Sequence, residues 1–244
     1  MLSRLCSGST MSLLLFIGAL SVPGTLVLAQ LDKAPFKWDH KFASPGTSLS
    51  VDVLQTMGGP PNGMVVISIK ASGFSDAAAT LALWEKTDGQ FHKHKPGILA
   101  DGTVQYIPGI DSMMLGGYFR GQSFDIALVD EVTNKRAQAK ITPFPITAEG
   151  DGGCKASAEV ITKSGLVWLI TLAGYNAGEQ VRITSVAKKE TLTDDLAASG
   201  TGEIAFPILY PKRSKRNAQV TAEGSRGCNV SLDFAIGKSA LKAK

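Results

Sequence analysis

Two histidines, His92 and His94, are the residues best suited by type and spacing to bind a metal. Side chains alternate between the faces of a β-strand, so both imidazoles lie on one face if this segment is extended. A zinc centre needs three or four ligands, and the remaining histidine, His40, lies in an N-terminal segment whose position the pattern does not fix. Asp88 or Asp101 could contribute. An exposed polar hairpin explains the same residues, so the sequence predicts no metal and no cofactor.

The motif S-x-x-K occurs twice, at Ser185–Lys188 and Ser239–Lys242. Penicillin-binding enzymes place this pair on a buried helix and combine it with S-D-N and K-T-G elements. Neither companion element occurs, and the matches fall at a strand end and in the C-terminal tail. The sequence also has no G-x-S-x-G, H-E-x-x-H, C-x-x-C or phosphate-binding glycine loop. It therefore identifies no catalytic residue, and we expect a protein that is not an enzyme.

The strongest concentration of charge is the basic cluster, which consists of Lys212, Arg213, Lys215 and Arg216. Outside a cell such a cluster can bind an anionic envelope polymer through salt-sensitive contacts. A solvated loop that protects a sheet edge explains the same charge. No aromatic residue is interleaved for base stacking, so nucleic acid is not an expected partner. Another envelope protein is the remaining partner class.

The N-terminus has the three-part plan of a secretory signal. Arg4 is the single charge in residues 1–29, and it precedes the apolar run Leu13–Leu20 and small residues that end at Ala29. A retained membrane anchor is the alternative, but Pro23 interrupts an apolar stretch that would need about 20 residues. Cleavage after Ala29 predicts a soluble periplasmic or secreted chain with no transmembrane segment.

Cleavage would leave two cysteines, Cys154 and Cys228. In an oxidising compartment such a pair is most simply one disulfide. A bond across this separation would stabilise that half of the chain by roughly 4 kcal/mol in the chain-entropy model. The same half has no histidine, so no base for a reactive thiol is available there.

Composition and periodicity predict an all-β chain. The 244 residues are 44% hydrophobic and 19% charged, with a formal charge of +4, which excludes a disordered tail or a coiled coil. Short alternating runs are separated by Gly, Pro, Asn and Asp; in Val65–Ser72, for example, Ile67 and Ile69 share one face. The other expected strands are Leu81–Trp84, Thr103–Ile107, Ser123–Val129 and Arg136–Thr142, and Ile141–Ile146 should lead into a stiff linker.

The pattern then repeats. Gly73-Phe74 recurs as Gly174-Tyr175, and the apolar positions on both sides of this turn keep the same order in both halves. The aligned inward positions are Ile67, Ile69 and Ala71 with Trp168, Ile170 and Leu172; Leu81 and Leu83 with Val181 and Ile183; Val104 and Tyr106 with Ile204 and Phe206; Ile126 and Leu128 with Val220 and Ala222; and Ala137, Ala139 and Ile141 with Val230, Leu232 and Phe234.

Around these two Gly-aromatic turns, with Leu81–Trp84 in one half and Glu179–Ile183 in the other, the chain resembles the tandem immunoglobulin-like modules of secreted bacterial proteins. The resemblance implies two β-sandwiches of roughly 100 residues and some seven strands each, serving as binding or spacer modules. Cys154 is expected to open the first strand of its domain and Cys228 the last. Antibody domains bridge two inner strands instead, which argues against a closer kinship.

The expected domain limits are a signal peptide at 1–29, a first sandwich at 30–146 with a leading segment at 30–46, a second sandwich at 147–238 and a basic tail at 239–244. Trp168 is expected in a core, while Trp38 and Trp84 could be exposed for sugar binding but are better read as core. Asn229 begins a glycosylation sequon whose place on a strand makes its use doubtful.

We therefore expect a non-catalytic binding or scaffold protein of the cell envelope, with an unknown ligand. Two alternatives remain open. A secreted hydrolase could assemble its site from distant loops, which would require a deep pocket with several titratable groups. An assembly subunit could instead pair its exposed edge strands between chains.

Overall fold

The structure is a computed structural model that describes residues 37–60, 62–85, 87, 90–116, 119–188, 190–211 and 217–240. Residues 39–244 form one compact unit. The predicted signal peptide lies outside the described residues. Within the described part of the chain, no helix is long and apolar enough to cross a membrane. The secondary structure is β almost throughout, as the alternating sequence pattern predicts.

The first sandwich packs a three-stranded sheet, in the order β1-β2-β7, against a four-stranded sheet, in the order β4-β3-β8-β9. Strands β5 and β6 form a separate two-stranded sheet, and along the chain they lie between β4 and β7. The strands are β1 (Ser48–Met57), β2 (Met64–Ser72), β3 (Ala79–Glu85), β4 (Gln90–His94), β5 (Gly97–Ile98), β6 (Val104–Gln105), β7 (Met113–Gly116), β8 (Phe124–Asp130) and β9 (Arg136–Ile141).

The second sandwich repeats this path, with sheets in the orders β10-β11-β12-β15 and β14-β13-β16-β17. Its one addition is β10, which pairs with β11 at the edge of the first sheet. The strands are β10 (Ile146–Glu149), β11 (Lys155–Val160), β12 (Val167–Ala173), β13 (Gln180–Ala187), β14 (Glu190–Ala197), β15 (Ile204–Leu209), β16 (Asn217–Gly224) and β17 (Asn229–Ala235). The chain is thus a pair of tandem immunoglobulin-like β-sandwiches. The predicted limits of the two domains stay a prediction.

Two hydrophobic cores fill the sandwiches. Alternation in β2 buries Val65, Ile67 and Ile69 between the sheets of the first, and alternation in β12 buries Trp168 and Ile170 in the second. Of the aligned inward positions, four are not fully buried: Leu83, Tyr106 and Phe206, which pack against a core, and Ala139. The repeat seen in the sequence is therefore a repeat of core positions.

The Gly-aromatic turn recurs because both sandwiches require glycine at that point. Gly73 has a φ of +78° and Gly174 a φ of +91°, a region that other residues adopt at a cost. A Cβ on Gly73 would lie 2.0 Å from the carbonyl oxygen of Gly46, and one on Gly174 would lie 2.8 Å from that of Gly153. The chain just before β1 in one sandwich and just before β11 in the other passes too close to this turn for any side chain.

One predicted strand is wrong in extent, because the first sandwich has an insertion. Thr103 bridges Lys70, but the next residue to pair with β2 is Met113, opposite Ile67. Residues 104–112 leave the sheet, and only Val104–Gln105 of the predicted strand is extended, paired with β5. In the second sandwich β15 pairs with β12 without interruption. The counterpart of β15 is therefore β7, and Tyr106 does not correspond to Phe206.

The alignment of β8 with β16 also needs a correction. Leu81 pairs with Leu128, whereas its counterpart Val181 pairs with Gly224, and Ala222 lies opposite Ile183. The two sandwiches differ here by a register shift of two residues. A shift of two keeps every side chain on the same face, because the side-chain period of a strand is two. The predicted burial is correct, although the alignment of Ile126 and Leu128 with Val220 and Ala222 does not match the pairing with β3 and β13.

A joint of close contacts connects the two sandwiches. The Gly121 backbone N–H donates to the carbonyl oxygen of Phe144, and the Val160 N–H donates to the carbonyl oxygen of Gly121. The buried carboxylate of Glu159 accepts hydrogen bonds from the Ser123 hydroxyl and from Lys140 Nζ, the latter at 3.0 Å. Residues of the first sandwich thus bind directly to a side chain of β11.

Candidate binding surfaces

His92 and His94 project from β4, the edge strand of the four-stranded sheet. They pair with Leu83 and Leu81, so their side chains point to the inner face of the sheet. Their ring centroids are 6.3 Å apart and nearly parallel. The facing sheet has only three strands and leaves this edge uncovered. The shared face is as expected, and the segment is an edge strand paired with β3 on which His92 is exposed and His94 is half-buried beside a cleft.

Tyr106, which lies in the insertion, positions His94. Its hydroxyl is 2.9 Å from His94 Nε2, and the two ring centroids are 4.2 Å apart. Burial lowers the pKa of His94 below its ordinary value of 6.5, and the adjacent His92 adds a smaller effect in the same direction. The neutral imidazole, which can donate a lone pair to a ligand, is therefore favoured.

The cleft has a volume of about 270 Å³ and lies between β4 and β7. Its polar lining is His92, His94, Tyr106 and Glu85, and its apolar lining includes residues of β7, among them Met113. The Glu85 carboxylate already accepts hydrogen bonds from Gln122 Nε2 at 2.5 Å and from Thr87 Oγ1 at 3.1 Å. The polar groups that remain for a ligand are two imidazoles and a phenol.

The carboxylates that the sequence offered as additional metal ligands do not join this site. Asp101 accepts hydrogen bonds from Thr103 within its own turn, and these bonds lower the pKa of its carboxyl. Burial lowers the pKa of His40. The charge of Lys140 lowers it further, and the charge of Asp125 raises it. Asp88 lies outside the described residues. Among the described residues, no three His, Cys, Asp or Glu side chains converge on one point.

The predicted disulfide is present between Cys154 and Cys228, whose Cα atoms are 5.8 Å apart. Its placement corrects one expectation, because β10 precedes Cys154 and the bond does not begin at the first strand of the sandwich. Cys154 precedes β11 and Cys228 precedes β17, and these strands belong to facing sheets. The bond therefore joins the two layers of the second sandwich at one end.

The basic cluster, Lys212, Arg213, Lys215 and Arg216, lies outside the described residues, in the connection between β15 and β16. Its neighbour Tyr210 is buried, and its hydroxyl is 3.0 Å from Ser185 Oγ. Burial raises the pKa of Tyr210 to about 12. Tyr210 is thus a core residue and offers no stacking surface beside the cluster.

The S-x-x-K matches do not form a catalytic pair in the described chain. Ser185 lies in the middle of a strand and is buried against Tyr210, while Lys188 occupies a turn with a φ of +61°. Ser239 ends a short 3-10 helix, and Lys242 lies outside the described residues. A helical first turn, which this chemistry needs, is absent from Ser185–Lys188.

Two of the three tryptophans are core residues, as expected. Trp168 is fully buried and donates its indole N–H to the Gly165 carbonyl oxygen at 2.9 Å, and Trp84 is buried in the first sandwich. Trp38 is partly buried. Asn229, the sequon residue, is exposed on β17.

Sequence reasoning missed Met113 and the role of Tyr106. The insertion that brings Tyr106 to β4 breaks the strand pattern, and β7 is only four residues long, so neither residue carries a signal in the sequence.

No family model matches this chain, and no curated protein matches it. Three similar solved structures are a tetra-tandem repeat from the extending region of a large adhesion protein, a two-domain fibronectin type-III segment of chicken tenascin, and a structure of the receptor tyrosine kinase Torso. The first is 15% identical, covering 78% of this chain and 49% of that one, with a TM-score of 0.27. The second is 12% identical, covering 76% and 97%, with a TM-score of 0.24. The third is 9% identical, covering 95% and 94%, with a TM-score of 0.24.

This chain spans about half the length of the adhesion-protein structure. The likeness to these structures is one of fold alone. The tandem immunoglobulin-like arrangement follows from the strand order of the two sandwiches.

Proposed function

We propose that this chain is an exported, non-catalytic binding or scaffold protein of the cell envelope that holds its two sandwiches in a fixed arrangement. The joint carries the proposal. Glu159 is buried between the sandwiches, and a buried carboxylate is costly unless its partners stay in place. Ser123 and Lys140 of the first sandwich supply those partners. A flexible linker would not need such a contact.

The proposed location outside the cytoplasm is supported by two observations. Residues 1–29 have the pattern of a secretory signal, and the Cys154–Cys228 disulfide is typical of an oxidising compartment. N-terminal sequencing of protein from periplasm or culture medium should find a chain that begins at Gln30. An intact N-terminus in the membrane fraction would contradict this part of the proposal.

The proposed partner is an anionic envelope polymer that binds the basic cluster. Four cations in one connection would displace counterions from such a polymer, so binding should weaken steeply as salt rises. The test is retention on immobilised lipopolysaccharide and on heparin. Changing Lys212, Arg213, Lys215 and Arg216 together to Ser should abolish retention at salt concentrations where the wild type is still held.

A matched control removes the same charge elsewhere. Lys70, Lys93, Lys135 and Lys155 are exposed on strands or turns. Changing these four to Ser should leave most of the retention in place. If both variants lose retention equally, the effect is one of net charge, and the cluster is not a binding site.

A further inference from the structure

Strand β1 is the longest open sheet edge in the described chain. It has ten residues, it pairs with β2 alone, and Asp52 is its only charged residue. Natural edge strands are usually short, charged or interrupted by proline, since an open edge can pair with another chain. Several other edges of this chain are protected in these ways: β7 and β10 have four residues each, β15 contains Pro207, and β14 carries three carboxylates.

The same position in the second sandwich is occupied. Strand β11, the counterpart of β1, pairs with β10, and its last residue, Val160, donates its N–H to the carbonyl oxygen of Gly121. Within the described residues, nothing pairs with the corresponding edge of β1. The chain that precedes β1 pairs instead with β9, where Ala43 bridges Ala137. The first sandwich therefore has an open place for one strand.

The pairing of β2 shows which backbone groups of β1 point to this open edge. Lys70 lies between Ser50 of β1 and Thr103 on the other side, and Ala71 donates its N–H to Gly102 on that other side. Successive residues of a strand point their N–H and C=O groups to opposite sides, so the groups of Lys70 and Ser50 face each other. The open edge of β1 therefore presents the backbone groups of the alternate residues, which are Leu49, Val51 and Val53.

The side chains of these three residues point inward and are incompletely covered. Val53, opposite Ile67, is 46% exposed, whereas its counterpart Val160 is fully buried. Leu49 and Val51 are half-buried against the core of the first sandwich. A further strand with apolar side chains at alternate positions would remove this apolar surface from water.

A second copy of β1 is such a strand. When two β1 strands run antiparallel with Val51 opposite Val51, Leu49 of each copy lies opposite Val53 of the other. These are the residues whose N–H and C=O groups point to the open edge, so each opposed pair can form both hydrogen bonds of an antiparallel ladder. The same register keeps the apolar side chains of both copies on the inward face.

The charges on the outer face fit this register. Ser50 of one copy lies opposite Asp52 of the other, and Lys70 lies beside Ser50 on β2. Lys70 and Asp52 of the second copy are then two strand spacings apart, about 10 Å between Cα atoms, with only a serine between them. The long lysine side chain can reach across that serine, and two-fold symmetry repeats the pair. No like charges lie directly opposite each other.

We propose that two copies of this chain associate through their β1 strands into a two-fold dimer, in which the two β1-β2-β7 sheets join into one continuous sheet. The dimer does not depend on the function proposed above. A monomer and a dimer can equally hold two sandwiches in a fixed arrangement or bind an anionic polymer.

The test is sedimentation equilibrium of the full mature chain from low to high micromolar concentration. The wild type should show a monomer–dimer equilibrium. Val53→Pro removes an N–H from the open edge and none from the ladder with β2, so it should fold and stay monomeric at every concentration. Val53→Thr keeps the N–H and the branched Cβ, and it should still form the dimer. Circular dichroism should show that both variants are folded.

Substitutions of the exposed Ser50 test the register without altering the core. Ser50→Asp places a carboxylate opposite Asp52 of the second copy, twice by symmetry, and should weaken association about tenfold. Within one chain the new carboxylate faces Lys70, so a loss of association is not a loss of folding. Ser50→Lys should strengthen association, because it faces Asp52 of the second copy. Thr191→Asp on the exposed strand β14 makes the same change of net charge and should associate as the wild type does.

Two results would overturn the proposal. A wild type that stays monomeric at every concentration would show that the open edge does not pair with a second copy. A dimer that Val53→Pro and Ser50→Asp both leave unchanged would show that the interface lies elsewhere.

Discussion

Glu159 shows how one side chain can couple two modules. Its side chain is 9% exposed, and its partner Lys140 is 26% exposed at a distance of 3.0 Å. The Lys41–Glu203 pair, at 3.4 Å, has side chains that are 66% and 43% exposed. The Lys140–Glu159 pair is largely shielded from water, whereas the Lys41–Glu203 pair is exposed to it. The two carboxylates should therefore differ in their contribution to stability.

We predict that Glu159→Gln lowers the free energy of unfolding by about 1–3 kcal/mol, because it leaves the Lys140 ammonium partly buried without an opposite charge. Glu203→Gln, which removes a carboxylate from the exposed pair, should change it by less than about 1 kcal/mol. Chemical denaturation of both variants measures the difference. Equal, small losses would mean that the joint does not depend on Glu159.

Glu179 makes a turn of the second sandwich sensitive to pH. Its carboxylate accepts hydrogen bonds from the Asn176 backbone N–H and side-chain amide, both at 2.9 Å, and from the Arg226 N–H at 3.0 Å. The bonds from Asn176 are the largest cause of a pKa below the ordinary 4.5 for this carboxyl. Folding therefore favours the ionised form.

The sign of the pH dependence follows. The contribution of Glu179 is fully present above its unfolded pKa and is lost as pH falls through the lower folded pKa. Glu179→Gln should be less stable than the wild type at neutral pH, and the gap should close below about pH 4. Denaturant midpoints across this range measure it. Glu190→Gln, on the exposed start of β14, is the control, and a gap that stays constant with pH would refute the assignment.

At the scale of elements, the sequence predicts the strands whose side chains follow a clear pattern of buried positions. It misses the segments that lack such a pattern. Strands β2, β3, β8 and β9 were recognisable because one or both faces are buried. Strand β1 is mostly exposed and contains a bulge beside Leu54, so its pattern gives little signal. The insertion at residues 104–112 was invisible, since its first residues continue the alternation of a strand. The cleft depends on that insertion and could not be foreseen.

The Cys154–Cys228 disulfide should stabilise the second sandwich. It joins facing sheets, so Cys154→Ala with Cys228→Ala should cost that sandwich up to roughly 4 kcal/mol. Trp168 lies in the second core, so its fluorescence reports on that sandwich. In a variant with Trp38 and Trp84 changed to Phe, Trp168 fluorescence reports unfolding. We expect the midpoint of that unfolding transition to fall when the disulfide is reduced. The double alanine variant should not respond to reductant, and an unchanged midpoint in the reduced wild type would contradict the prediction.

At the scale of the whole molecule, the joint determines whether the two sandwiches keep a fixed arrangement or move independently. The sequence predicts that Ile141–Ile146 leads into a stiff linker, and in the structure β9 ends at Ile141 and β10 begins at Ile146. Sequence reasoning could not foresee that Gly121 lies against the second sandwich, because nothing local distinguishes that glycine from one in an ordinary turn. Gly121 has a φ of +75°, and a Cβ there would lie 2.7 Å from the Ala158 carbonyl oxygen and 3.0 Å from Trp168 Cζ3.

A pair of glycine variants separates the contact from the backbone conformation. Gly178 has a φ of +72° and no atom within 4 Å of an added Cβ. Gly178→Ala therefore has only the conformational cost of a residue at positive φ, about 1–2 kcal/mol. Gly121→Ala has the same cost and also forces the two sandwiches apart. Only the second variant should loosen the joint.

The distance between the sandwiches tests the central claim most directly. Spin labels at Val132→Cys in the first sandwich and Leu192→Cys in the second occupy side chains that are 80% and 45% exposed. We predict a single narrow distance distribution by double electron–electron resonance, which broadens in Gly121→Ala and not in Gly178→Ala. A broad distribution in the otherwise unchanged protein would show that the sandwiches move independently, and would contradict a scaffold of fixed arrangement.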